Sequence, residues 1–86
     1  MSIDSDARGK MSMLIYPILF ERNALDGVDR AIQMIVKPAE TDEYVASITA
    51  ALESSDQLSG LIPNDHSEPA IRAYLAEVRR RLQKPA

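Results

Sequence analysis

Cysteine is absent from the 86 residues. That excludes a disulfide framework, a thiol nucleophile and cysteine-ligated zinc or iron–sulfur, and it fits a reducing compartment. Tryptophan is absent and phenylalanine occurs once, so aliphatic side chains must fill any core. Glycine occurs three times, at Gly9, Gly27 and Gly60, and nowhere in the spacing of a phosphate-cradling loop. No apolar run approaches the roughly 20 residues of a membrane helix. The opening MSIDSDARGK sets Asp4 and Asp6 against Arg8 and Lys10. The apolar run after it is interrupted by Pro17 and lacks a small-residue cleavage site. No secretory signal is read there, and cytoplasmic residence is the expectation.

What is present fits one small domain at most. Hydrophobic residues make up 45% of the chain, enough for a folded core. The clearest element is Ser67 to Gln83. Ile71, Tyr74, Leu75, Val78 and Leu82 recur at helical spacing, Ser67 can cap the start, and Arg79, Arg80 and Arg81 suit the end of a helix dipole. A helix is expected over 67–84. A second is expected over 41–54, capped by Thr41, with Tyr44, Val45, Ile48, Ala51 and Leu52 as its stripe. A third is expected over 21–37, with Leu25, Val28, Ile32, Ile35 and Val36 as its stripe, Met34 projecting away and Pro38 ending it.

Residues 1–12 are polar and aperiodic and are expected to form a flexible tail; Met11 or Met13 can equally serve as a start. Residues 13–20, MLIYPILF, are apolar at every position but Pro17. This arm is either an extended piece or a short helical one, since a continuous apolar run does not decide between them. Leu58, Leu61 and Ile62 are placed to plug the core from a loop. The fold class is all-α: a small three-helix bundle with an apolar N-terminal arm, residues 13–86 forming one helical domain.

The chain offers little for catalysis. His66 is the single histidine, and its neighbours Asp65 and Ser67 cannot supply triad geometry, which needs groups converging from separate places in the fold. It reads as a solvated loop histidine. No paired-ligand spacing for a metal occurs, so neither an enzyme, a metal nor a cofactor is expected. The arginines at 79–81 read as a solvated helix end in which Glu77 pairs with Arg80 and Arg81. A ribbon-helix-helix reading fails because the strand candidate, MLIYPILF, carries no charge, and with a net charge of −3 no nucleic-acid partner is expected.

The acids are unevenly placed. Residues 38–70 hold Glu40, Asp42, Glu43, Glu53, Asp56, Asp65 and Glu68 and no lysine or arginine, a charge of −7. Residues 71–86 carry +4, and residues 1–20 and 21–37 each sum to zero. Helix dipoles account for acids at helix starts but not for a complete lack of bases over a third of the chain. Such a segment is either solvated surface or a docking face for a basic partner. In the second case the partner-binding residues are Glu40, Asp42, Glu43, Tyr44, Glu53, Asp56, Asp65 and Glu68, with Tyr44 as an aromatic anchor.

The acidic helix TDEYVASITAALESSDQ (Thr41 to Gln57) and the loop-to-helix join IPNDHSEPAIRAYLAEV (Ile62 to Val78) resemble bacterial immunity proteins that neutralise nuclease toxins, in particular those of contact-dependent growth-inhibition systems. The paired-tyrosine turn of colicin-type immunity proteins has no counterpart in this chain. The resemblance implies a non-enzymatic inhibitor that binds one basic, nuclease-like toxin domain and blocks its substrate cleft or its assembly. The alternative is a structural or assembly subunit that uses the apolar arm 13–20 for oligomerisation.

Overall fold

The stripe Ile71, Tyr74, Leu75 and Val78 is fully buried, as its spacing requires. It lies on the longest helix of the computed structural model, which describes residues 3–83. In chain order the helices are α1 (Ser5–Ile15), α2 (Val28–Met34), α3 (Thr41–Glu53) and α4 (Glu68–Gln83). Short 3₁₀ turns at Tyr16–Ile18, Ala24–Gly27, Pro38–Glu40 and Leu58–Gly60 connect or precede them. The fold is an all-α bundle, with no strand among the described residues. α3 packs between α1 and α4, and α2 lies against α4. No helix of the described residues is long and apolar enough to cross a membrane.

Of the flexible tail expected over 1–12, residues 5–12 are instead helical and form most of α1, while residues 1–2 lie outside the described residues. Asp4 caps the helix, its carboxylate accepting the Ala7 amide at 2.8 Å. Ile3, Ala7, Met11, Leu14, Ile15 and Ile18 fall three or four residues apart and all enter the core. A chain starting at Met11 or Met13 would lack Ile3 and Ala7 and the cap at Asp4. The arm 13–20 is helical and not extended: residues 13–15 finish α1 and residues 16–18 tighten into a 3₁₀ turn around Pro17.

The helix expected over 21–37 is interrupted. Asn23 opens a 3₁₀ turn by accepting the Leu25 amide at 3.0 Å, and α2 proper begins only at Val28. Gly27 joins the two pieces where they press on the preceding turn. A Cβ at Gly27 would press into Ile18 Cγ2, so any larger residue there must push that side chain aside. In this setting Leu25 turns outward and is exposed, whereas Val28 and Ala31 stay buried. Thr41 is the first residue of α3 and not its cap. Its hydroxyl donates to the Pro38 carbonyl at 3.1 Å, fastening the helix to the turn before it. The opposite end of α3 stops at Ser54, whose buried hydroxyl donates to the Ala51 carbonyl at 2.7 Å.

α4 is capped as expected, Ser67 Oγ accepting the Ala70 amide at 3.3 Å; its residue 84 lies outside the described residues. Leu58 plugs the core, with Leu61 and Ile62 packed partly against it. A polar knot ties this loop to α4. Arg72 donates to the carbonyls of Leu52, Ser54 and Asp56 at 3.1, 3.1 and 2.9 Å. Its Nε meets the Glu68 carboxylate at 2.9 Å. The arginine thus satisfies one carbonyl in the last turn of α3 and two in the chain just beyond it.

Candidate functional site

The eight acidic-segment residues do not converge on one face. Tyr44 is buried against the core and is no surface anchor; the Lys10 ammonium lies 5.9 Å from its ring centre. Burial pushes the Tyr44 hydroxyl above its ordinary pKa. Glu68 is used internally, accepting the Leu58 and Ser59 amides at 3.0 and 2.8 Å. Burial works against its charge, but those amides and the Arg72 guanidinium outweigh it and hold the carboxyl below its ordinary pKa. Asp56 accepts the Ile3 amide at 3.0 Å and stands 3.9 Å from the Arg8 guanidinium, so it anchors the start of α1. These three are parts of the fold.

The other five remain at the surface in two places. Glu40, Asp42 and Glu43 gather at the start of α3, and Glu53 lies three turns along on the same outward stripe as Asp42. Asp65 is separate. It lines a polar hollow of about 430 Å³ with Leu19, Phe20, Glu21, Arg22 and His66. His66 is not a solvated loop residue. Its Nε2 lies 2.7 Å from the Ile18 carbonyl. A carbonyl can only accept, so Nε2 carries the proton and pins the turn that presents Phe20.

The apolar arm shows more. Met11, Leu14, Ile15 and Ile18 point inward, and Met13, Tyr16, Pro17 and Phe20 take the opposite side at the same helical spacing. Phe20 is 93% exposed, Met34 74%, Tyr16 64% and Met13 51%. With Pro17, Ile35 and Arg30 they line a hollow of about 420 Å³ whose walls are almost wholly apolar. Arg30 reaches across its edge to Glu21 at 3.6 Å. No family model, curated protein or solved structure matches this chain. The site is therefore weighed on its own chemistry.

Phe20 walls both hollows, so one projecting ring separates an apolar basin from a polar one. Large exposed apolar patches are uncommon on isolated domains and usually mark contact surfaces. Aromatic side chains and methionine are also the types enriched at protein interfaces, and no lysine lines either basin. The sequence held the signal. An arm apolar on both helical faces carries one face more than a single core contact uses. Among the described residues, no three His, Cys, Asp or Glu side chains are grouped to hold a metal ion.

Proposed function

We propose that this chain is a non-enzymatic protein-binding module that docks through the apolar basin formed by Met13, Tyr16, Pro17, Phe20, Met34 and Ile35. The observation that carries this reading is the 93% exposure of the only phenylalanine, at the rim of a basin of about 420 Å³. Leaving such a ring in water is unfavourable by roughly 1.5–3 kcal/mol relative to burying it. The cost is recovered when a partner covers it. His66 supports the same use, since it holds in place the turn from which Phe20 projects.

A second reading keeps the toxin-inhibitor idea that the immunity-protein resemblance suggests, with cytoplasmic residence and one basic partner. It is favoured by one observation: Asp42, Glu43 and Glu53 are exposed on α3 and make no ion pair within 4 Å among the described residues. The two surfaces respond differently to salt. Apolar docking persists as ionic strength rises, whereas docking on carboxylates weakens through screening.

The test is binding at either surface, to a second copy of the chain or to the product of a neighbouring gene, measured by titration calorimetry at low and high salt. Phe20→Ser should abolish an interaction that salt leaves intact, and Glu53→Lys should leave it unchanged. An interaction lost in salt and in Glu53→Lys, but kept in Phe20→Ser, rejects the basin and selects the acidic face.

A further inference from the structure

The basin and the ring beside it have complementary shapes. A cavity of about 150 Å³ is enough to hold a benzene-sized ring, and this basin measures about 420 Å³. We propose that its occupant is a second copy of this chain, each Phe20 inserting into the basin of the other about a two-fold axis. The inference rests on the reading of the basin as a docking surface and names what docks there.

Three observations favour a second copy over an unlike protein. An isologous contact places the same patch on both sides, so the patch must carry both a projection and a recess. Phe20 is the projection and Met13, Tyr16, Pro17 and Met34 floor the recess.

The charge at the rim of the patch is balanced, Arg30 lining it and pairing with Glu21 at 3.6 Å. Residues 21–37 hold Glu21, Asp26 and Asp29 against Arg22, Arg30 and Lys37, which sum to zero in a molecule of net charge −3. Two such surfaces meet without repulsion. Among the described residues no acidic side chain lines the basin itself.

The area lies at the low end for a specific contact, which suits a dimer that dissociates on dilution. At these exposures Phe20 and Tyr16 together present about 250–400 Å². Met34 and Met13 add to it, against a standard contact of about 800 Å² per partner.

The chain has no tryptophan, so Phe20→Trp places a single fluorescent reporter at the projection. Sedimentation equilibrium of the wild-type chain should show a dimer that dissociates on dilution. Over the same concentrations Phe20→Trp should dissociate likewise, and its emission should move from shorter to longer wavelength. Phe20→Ser should weaken the dimer at least about 30-fold, the loss expected of a central anchor, with its melting curve unchanged at dilutions where both chains are monomeric. Met34→Lys should do the same and carries the test if Phe20→Ser fails to fold.

A wild-type chain that stays monomeric throughout overturns the second copy. If Phe20→Trp emission then shifts to shorter wavelength on adding the neighbouring gene's product, the docking reading survives. If it does not, that reading falls as well. A dimer that persists in both Phe20→Ser and Met34→Lys overturns the proposed location. So does one that salt dissolves while Phe20→Ser leaves it intact.

Discussion

At the scale of single residues, Tyr74 joins the core to solution pH. Its ring is fully buried and its hydroxyl donates to the Leu14 carbonyl at 2.5 Å, linking α4 to the end of α1. Burial pushes its pKa well above the ordinary value. The unfolded chain titrates this group near pH 10. A folded pKa above the unfolded one means that the contribution is complete below about pH 10 and is lost as pH rises beyond it. Urea melts should therefore show level stability up to about pH 9 and a fall above pH 10. Tyr44 is shifted the same way, so Tyr74→Phe should blunt the fall without removing it. At neutral pH that variant should be less stable by about 1–3 kcal/mol, because the buried carbonyl loses its donor. An unchanged alkaline limb in Tyr74→Phe would mean that another group drives it. Glu77 acts at the other end of the scale. Hydrogen bonds from Arg80 and Arg81 hold its carboxyl down to about 2, but the three side chains are solvated and salt screens them.

At the scale of elements, the glycines separate two kinds of backbone. Gly9 sits inside α1 with nothing within 4 Å of a Cβ placed on it. Gly9→Ala should raise stability by about 0.5–1 kcal/mol, through helix propensity and a less flexible unfolded chain. Gly27 backs onto the fully buried, β-branched Ile18, so Gly27→Ala should lower stability by about 1–3 kcal/mol. Adding Ile18→Ala should make the combined loss smaller than the sum of the two, a coupling that a double-mutant cycle in urea would measure. The same elements show what the sequence could reveal. α3 and α4 were legible because each carries several apolar residues per two turns and acids in its first turn. α1 hid because Ile3, Ala7 and Met11 give only one apolar residue per turn, set among Asp4, Asp6, Arg8 and Lys10, with Gly9 inside the pattern. Leu25 was misplaced because residues 24–27 wind as a 3₁₀ turn. Such a turn has 3.0 residues per turn instead of 3.6, which rotates a side chain off the stripe that the α-helical period assigns it. The arm was legible as apolar, and its second, outward face followed only once its helical winding was known.

At the scale of the whole molecule, the charge polarity of the sequence is folded away only in part. Arg72 from the basic C-terminal segment is tied to carbonyls at and just after the end of α3, and Arg79 reaches the Thr49 hydroxyl at 3.2 Å. Arg80 and Arg81 both hold Glu77, and Arg81 also pairs with Asp29 on α2. The acidic and basic segments are thus neighbours, not opposite poles, and a list of acids could not say which of them point inward. Asp56 and Glu53 sit three residues apart and should behave oppositely when reversed. Glu53 is exposed and makes no ion pair within 4 Å among the described residues, so Glu53→Lys should change stability by no more than about 0.5 kcal/mol. Asp56 receives the Ile3 amide and faces Arg8. Asp56→Lys removes that acceptor and sets a cation against Arg8, so it should cost about 1–3 kcal/mol. The loss should be read in urea melts and, by hydrogen exchange, as faster opening of the first turn of α1. Because α1 carries Met13 and leads into Tyr16 and Phe20, loosening it should also disturb the apolar basin. Asp56→Lys should therefore weaken any contact made there, although it touches no residue of the basin. Equal effects of the two reversals would mean that the start of α1 is not anchored through this carboxylate.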